Sequence, residues 1–531
     1  MADLFFNPVE MITRRRYSSR PDTDEEIHAW IDHFQKGDVT DYQMSAWLMA
    51  CCFNPLNARE TATLTQCVTE SGLILDWDTR FAAINDQQRR PRLVDKHSSG
   101  GVGDKISLIL APLVVATAES VGVNVAVPMM AGRGLGHTGG TIDKLESLKG
   151  FNAAHLPVKT FQQIVIGGGG GDHDSGDNKP VGCAIVSQSS DLCPVDQRLY
   201  ALRDVTSTVS CLALQTASIM SKKIAENPDS LVLDVKYGHG SFQSTLEEAL
   251  LLAESMVAVG EANGLNPTTA LLTNMDHPIG SAVGNWVEVR ECIEIMMGGF
   301  AAKKKIKDDG DEGHDEERRE LFRLCHDLIV LCVVQAGQML YQSTTNDRNQ
   351  TDDNSRSPVP TTLEGWMKLA YDVLDSGAAL TKFREMALAQ GTDPEFLEDA
   401  LTKPSSIPLA KYCATWESTE SGYVADIPAK TMGEVGVMIG AGRTVAGQAV
   451  DSQAGVILSV KVGDKVVPGQ VVARVYSNQS QPQVEAALAV VQNAIRIEST
   501  EPKSATKDGI VSYCVTKSGT EKFALPEYLS Q

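Results

Sequence analysis

Apolar positions in roughly the first eighty residues recur every three to four places, the spacing of helices that bury one face. Ile27, Trp30, Ile31 and Phe34 make such a stripe. Thr23, three residues before Glu26, supplies a capping box to start it, and Gly37 can take the left-handed stop. Thr40 and Gln43 repeat the device before an apolar helix over 44–52. A helical hairpin packed on another part of the chain is the expected result. From about Arg92 the pattern changes: β-rich runs over 121–127, 183–187 and 231–235 alternate with glycine loops and helical stretches. That alternation predicts an α/β domain with a largely parallel sheet.

Near the far end, 455–472 is valine-rich with Gly463-Asp464 and Pro468-Gly469 turns, which predicts a small β-rich lobe. It is similar to biotinyl and lipoyl hairpins but has no lysine at the usual turn, so its expected role is structural. Three polar segments read as surface loops inserted in the α/β region: 167–180 with a five-glycine run, 303–319 with clustered charge, and 342–362 with Pro358 and Pro360.

Composition narrows the classes. With 531 residues and 42% hydrophobic content, the chain can bury a sizeable core in two or three domains. A net charge of −21 removes the usual electrostatic footprint of nucleic-acid binding. The best apolar run, Leu108 to Val115, is too short for a bilayer and contains Pro112, so no membrane role is expected. Asp3 and Glu10 interrupt the N-terminal apolar residues, which disfavours a secretory signal and makes the cytoplasm the expected location. Eleven cysteines without a C-x-x-C read as buried thiols.

The richest chemistry lies in 94–104, Val-Asp-Lys-His-Ser-Ser-Gly-Gly-Val-Gly-Asp. Lys96, His97, Ser98 and Ser99 put a cation, an imidazole and two hydroxyls directly before a glycine turn. Gripping a phosphate beside a reacting bond requires such groups. A second glycine loop, Ala131 to Glu146, follows the apolar run Val123 to Met130, and the succession suggests convergence on one anion. In a third segment, Ser218 and Lys222 are four apart and share a helical face, so a hydroxyl and an ammonium can address adjacent atoms of a polar ligand. Asp172-His173-Asp174 and His314 lack fixed metal-ligand spacing, and no metal site is expected.

On Asp95 to Asp104 and Gly132 to Glu146, the chain resembles the pyrimidine nucleoside phosphorylase family, thymidine phosphorylases in particular. The similarity runs from the N-terminal helices to the C-terminal lobe. It implies reversible phosphorolysis of thymidine and deoxyuridine to free base and 2-deoxyribose 1-phosphate, with a broad enzyme that also uses uridine as the alternative. By matching positions, Lys96, Ser98, Ser107 and Thr141 would hold phosphate; Arg203, Ser218 and Lys222 would hold the pyrimidine edge; Leu135 and Phe242 would wall the base. His97, Arg203 and Lys222 are the catalytic candidates, with His97 beside the base carbonyl next to the scissile bond. His137 reads as structural. Phosphate is a co-substrate, and no cofactor is implied.

The resemblance also implies a small all-helical domain (1–85 and 195–226), a large α/β domain with a mixed, largely parallel sheet (90–194 and 227–410), and a C-terminal α+β lobe (411–531). A homodimer would form through the helical domain, and the cleft between the first two domains would close over its substrates. Three departures stand out. Ala131 replaces a serine, removing one hydrogen bond worth ~1 kcal/mol. Ser99 replaces a threonine. Lys105 stands where relatives carry an uncharged residue, and is expected either to offset the lost donor or to point to solvent.

Competing readings rest on less. Gly134-x-Gly136-x-x-Gly139 is a literal dinucleotide fingerprint, but the Lys-His-Ser loop has no role in such a site. An anthranilate-type phosphoribosyltransferase would want a magnesium-binding acidic motif that the sequence lacks. A regulatory binding role would be a second function beside intact catalytic positions.

Overall fold

The computed structural model describes residues 6–18, 20–82, 90–134, 136–167, 180–300, 312–344, 358–443, 448–502 and 509–530, with side chains in the helix that begins at Glu312 described from residue 316. Four N-terminal helices, α1 (Pro8–Tyr17), α2 (Asp24–Lys36), α3 (Asp41–Phe53) and α4 (Ala58–Glu70), precede a short α5 (Trp77–Ala82). The capping signals act as expected. The Thr23 hydroxyl accepts from Glu26 N at 3.3 Å while Glu26 accepts from Thr23 N at 2.9 Å, and Gly37 ends α2 at φ 88°. A third box, Asn57 with Glu60, starts α4. Arg15 is buried between Asp22 and Glu60, so part of the Arg14-Arg15-Arg16 run is an internal tie rather than a surface feature.

The α/β region runs β1 (Arg92–Ser98), α6 (Ile106–Ser120), β2 (Val125–Met130), α7 (Thr141–Leu145), α8 (Val158–Ile166), β3 (Cys183–Val186), α9 (Pro194–Val205), α10 (Leu212–Glu226), β4 (Ser230–Tyr237), α11 (Leu246–Ala262) and β5 (Thr268–Asn274). Strands β5, β4, β1, β2 and β3 lie side by side in that order, all parallel. Both α9 and α10 leave the sheet to join α1–α4 around Trp30, Trp47, Leu64, Val195 and Leu214. The strand expected at 121–127 begins only at Val125, because α6 continues to Ser120 and Gly122 makes the turn at φ 75°. The apolar run Leu108 to Val115 is the interior of α6, wholly buried, and among the described residues no single helix is long and apolar enough to cross a membrane.

The C-terminal α+β part exchanges strands with the α/β region. Its strand Val511–Thr516 pairs antiparallel with β5 and carries Gly519–Lys522 as the edge of the large sheet, which makes that sheet mixed. In exchange, β6 (Ala282–Gly284) from the α/β region joins the strands Gly455–Leu458, Val471–Ser477 and Tyr412–Glu417. The expected inserts also shrink. Residues 312–324 form a helix, and 342–344 complete the buried helix His326–Thr344. The intervening segments 168–179, 301–311 and 345–357 lie outside the described residues, as does the Asp172-His173-Asp174 cluster.

Candidate active site

The C-terminal ends of parallel strands leave a crevice where their loops diverge, a common place for ligands in α/β sheets. Here β1 delivers Lys96, His97 and Ser98 to that edge, and a glycine turn leads into the first turn of α6, where Ser107 is buried. Lys105, the N-cap, makes no side-chain cap; the Leu108 amide donates to the Lys105 carbonyl at 3.0 Å, and the N-terminal end of α6 faces the cleft through Ser107. Gly103 is required at φ 68°: a Cβ there would sit 2.5 Å from the Ile279 carbonyl oxygen. The second loop follows β2 and ends at Thr141, the first residue of α7. Its two ends nearly touch, since a Cβ on Gly140 would lie 2.0 Å from Gly134 N.

Opposite these loops stands the helical domain. Lys96, His97, Ser98, Ser107, Thr141, Arg203, Ser218, Lys222 and Phe242 all line one cleft. Every sequence-predicted residue is thus gathered there except Leu135, which lies outside the described residues.

Lys96 is 1% exposed, its Nζ has no hydrogen-bond partner among the described residues, and Asp234 Oδ2 stands 3.6 Å away. Asp234 in turn accepts from Lys236 Nζ at 2.7 Å, Thr273 Oγ1 at 2.6 Å and Gln335 Nε2 at 2.9 Å. An ammonium held at this distance beside an already satisfied carboxylate is free to meet an anion. Ser98 is differently placed: its hydroxyl donates to Asp104 Oδ2 at 2.5 Å and accepts from Gly100 N, so a phosphate contact requires the hydroxyl to rotate. Burial alone would raise the Asp104 pKa, but Lys236, Lys96 and the Ser98 hydrogen bond hold it well below the carboxylate range.

Burial, together with Lys223, Lys222 and Lys96, pushes His97 well below the ordinary imidazole value, against a smaller opposing pull from Asp104. The ring is therefore neutral at pH 7. Arg203 lies 3% exposed and donates to three main-chain carbonyls, Val209 at 2.7 Å, Leu214 at 3.1 Å and Thr208 at 3.5 Å. Lys222 Nζ bonds Asp196 Oδ2 at 2.8 Å and the Ser218 hydroxyl at 3.0 Å. Behind it, Lys223 links Asp95 of β1 to Glu226 and to the Met130 carbonyl at 2.9 Å, tying α10 to the two strands that bear the glycine loops.

Lys105 follows neither expectation. It is fully buried away from the cleft, donating to the Ala282 carbonyl at 2.8 Å and pairing with Glu291. Ala131 does line the cleft, so its missing hydroxyl is a gap that Lys105 does not reach to fill. His137 is structural in its contacts: Nε2 meets the Gly240 carbonyl at 3.2 Å and the ring leans on Phe242. The dinucleotide fingerprint dissolves as well, because Gly134 N donates to Asp143 at 2.8 Å and Gly136 N to Asp204 at 3.2 Å, and α7 spans only five residues. With the Tyr200 hydroxyl donating to the Arg133 carbonyl at 3.3 Å, this loop already touches the helical domain across the cleft.

The sequence reading missed Asp196 and Tyr200, although they precede Arg203 at helical spacing on α9, and Gln215, which continues the Ser218–Lys222 face. It also missed Asp234, two residues before Lys236 on the same face of β4.

Comparison with known proteins fits this architecture. Residues 11–72 match the helical bundle domain of a glycosyl transferase family, 90–380 match its a/b domain, and 423–498 match the pyrimidine nucleoside phosphorylase C-terminal domain. The pyrimidine-nucleoside phosphorylase of Geobacillus stearothermophilus is 38% identical over 498 residues, covering 94% of this chain and 98% of that protein. Its namesake from Staphylococcus aureus strain N315 is 37% identical, covering 86% of this chain and 89% of that protein. Among solved structures, anthranilate phosphoribosyltransferase from Thermus thermophilus covers 72% of this chain and 99% of its own at 16% identity and a TM-score of 0.44. The chain is a pentosyltransferase and belongs to the pyrimidine-nucleoside phosphorylase family.

Proposed function

We propose that the protein catalyses the reversible phosphorolysis of thymidine and deoxyuridine. The carrying observation is that one cleft sets a buried, hydrogen-bond-free ammonium, Lys96, and the α6 N-terminus on one wall, and Arg203, Ser218 and Lys222 on the other. Phosphate binds the first wall through Lys96, Ser107, Thr141 and a rotated Ser98, and the pyrimidine binds the second. As the glycosidic bond stretches, positive charge on the sugar faces phosphate, while negative charge on the base faces Lys222, Arg203 and His97. Pre-set donors of this kind stabilise developing charge without reorganising. A neutral His97 first serves as an N–H donor. Phosphate dianion offsets the lysines that hold its pKa down, which brings the ring toward a proton-carrying role.

Phosphate is a co-substrate, and the scheme invokes neither cofactor nor metal. A homodimer fits the exposed apolar face of α3, where Tyr42, Met49 and Phe53 recur at helical spacing. The broader reading, with uridine also a substrate, is favoured by the name of the relatives, pyrimidine-nucleoside phosphorylase.

The test is base release from thymidine, deoxyuridine and uridine with and without phosphate, beside His97→Ala. Phosphate-dependent thymine release with weak uridine turnover and a crippled variant supports the thymidine reading. Comparable uridine turnover moves the enzyme to the broad class, and no phosphate-dependent release from any nucleoside removes both.

A further inference from the structure

Gln215 has no part in the scheme above, yet it occupies the same face of α10 as Ser218 and Lys222 and borders the same cleft. Its side chain is 4% exposed. Gln243 Nε2 donates to Gln215 Oε1 at 2.8 Å, while Gln215 Nε2 has no hydrogen-bond partner among the described residues. Gln243 is itself fixed by a tight turn, accepting from Gly238 N at 2.9 Å and donating its own N–H to the Ser241 hydroxyl at 3.1 Å. The Gln215 amide is thus held by Gln243 with its NH₂ unmatched, as is Gln243 Oε1, in a residue that lines the cleft beside the apolar Val209, Ile219 and Phe242. A buried donor left unmatched is unfavourable, and in such surroundings a bound ligand is its natural acceptor.

We propose that Gln215 is a specificity-determining residue, donating a hydrogen bond to a carbonyl oxygen of the pyrimidine base. The inference rests on the nucleoside reading of the cleft. A pyrimidine-2,4-dione offers two carbonyl acceptors, and Arg203, Lys222 and Gln215 make this wall rich in donors. Gln215 engages the base in the ground state as well as during bond breaking, so its loss appears chiefly in the nucleoside KM.

The experiment compares wild type, Gln215→Met and Gln215→Glu in phosphorolysis of deoxyuridine and thymidine, with calorimetric binding of uracil as a second readout. Met keeps the shape without the donor, and Glu presents an acceptor to an acceptor. The expected nucleoside KM order is wild type below Met below Glu, with about a tenfold rise for Met, a parallel weakening of uracil, and a phosphate KM within twofold. A packing role predicts that Met matches wild type. A nucleoside KM within twofold of wild type for Gln215→Met overturns the proposal while leaving the enzymatic reading intact. A wild type inactive on every nucleoside removes that reading instead, and uracil binding still reports on Gln215. If Gln215→Glu does not fold, Gln243→Met, which unpins the amide, raises the same KM by a smaller factor; no rise also counts against the proposal.

Discussion

Lys96 Nζ stands 3.6 Å from Asp234 Oδ2, beyond hydrogen-bonding reach of a carboxylate already supplied by Lys236, Thr273 and Gln335. The ammonium is buried and ion-paired, yet makes no hydrogen bond among the described residues. Charge-assisted hydrogen bonds contribute about 1.5–3 kcal/mol each. Lys96→Met is therefore expected to raise the phosphate KM by roughly 10- to 100-fold while changing the nucleoside KM far less. Initial rates with each substrate varied in turn check this; equal changes in both constants would mean that the cation does not single out phosphate.

Lys105 predicts a stability effect rather than a phosphate effect. Lys105→Met removes the ammonium from Glu291, which Ser281 N at 2.8 Å and Ala282 N at 3.0 Å still bond. Breaking one side of a buried pair typically costs about 3–5 kcal/mol. A loss of about 3 kcal/mol in urea unfolding is expected, with a phosphate KM within a fewfold of wild type in the folded fraction.

The depressed His97 pKa carries a pH dependence with a definite sign. The unfolded imidazole takes a proton near pH 6.5, but the folded one resists it, so the unfolded state binds more protons as pH falls. This part of the stability is present above about pH 6.5 and declines toward the lower folded pKa, by at most about 1.4 kcal/mol per pH unit. His97→Asn should flatten the unfolding free energy between pH 7 and 5 relative to wild type. Saturating phosphate should move the His97 ring signal in an NMR titration toward the ordinary imidazole value; a fixed midpoint would uncouple the ring from the phosphate site.

Self-association through α3 is testable on its own. Tyr42 is 75% exposed and Phe53 is 78% exposed, and neither has a packing role within the chain that would make a charge there destructive. The double variant Tyr42→Glu, Phe53→Glu is expected to halve the mass seen by light scattering and leave the unfolding of each chain largely unchanged. A wild type that runs at the mass of one chain would remove the dimer.

Much of the site was legible because its chemistry is written in residue types at short range. Lys96 and Ser98 are two apart on β1 and so share a face, and Ser218 and Lys222 are one helical turn apart, so local geometry places each pair's groups together. Lys105 was not legible, because Glu291, the partner that draws it into the interior, lies 186 residues away. Gln215 escaped for a different reason: a glutamine on a helix reads as solvated until the fold buries it. The strand placed too early, at 121–127, shows Val121 and Val123 taken up by the turn at Gly122 that follows α6. Arg203 illustrates a third case, since its partners are main-chain carbonyls, two in the turn between α9 and α10 and one in the first turn of α10, and not side chains.

The reciprocal exchange of strands has a consequence for how the molecule comes apart. Val511–Thr516 completes the large sheet at β5, and β6 completes the sheet that holds Gly455–Leu458, so each layer borrows an edge from the other. Melting either layer alone strands the unpaired backbone of its lent segment, which couples the two losses. The two sheets are thus tied into one unit of cooperativity, and heat should dissolve both in a single transition.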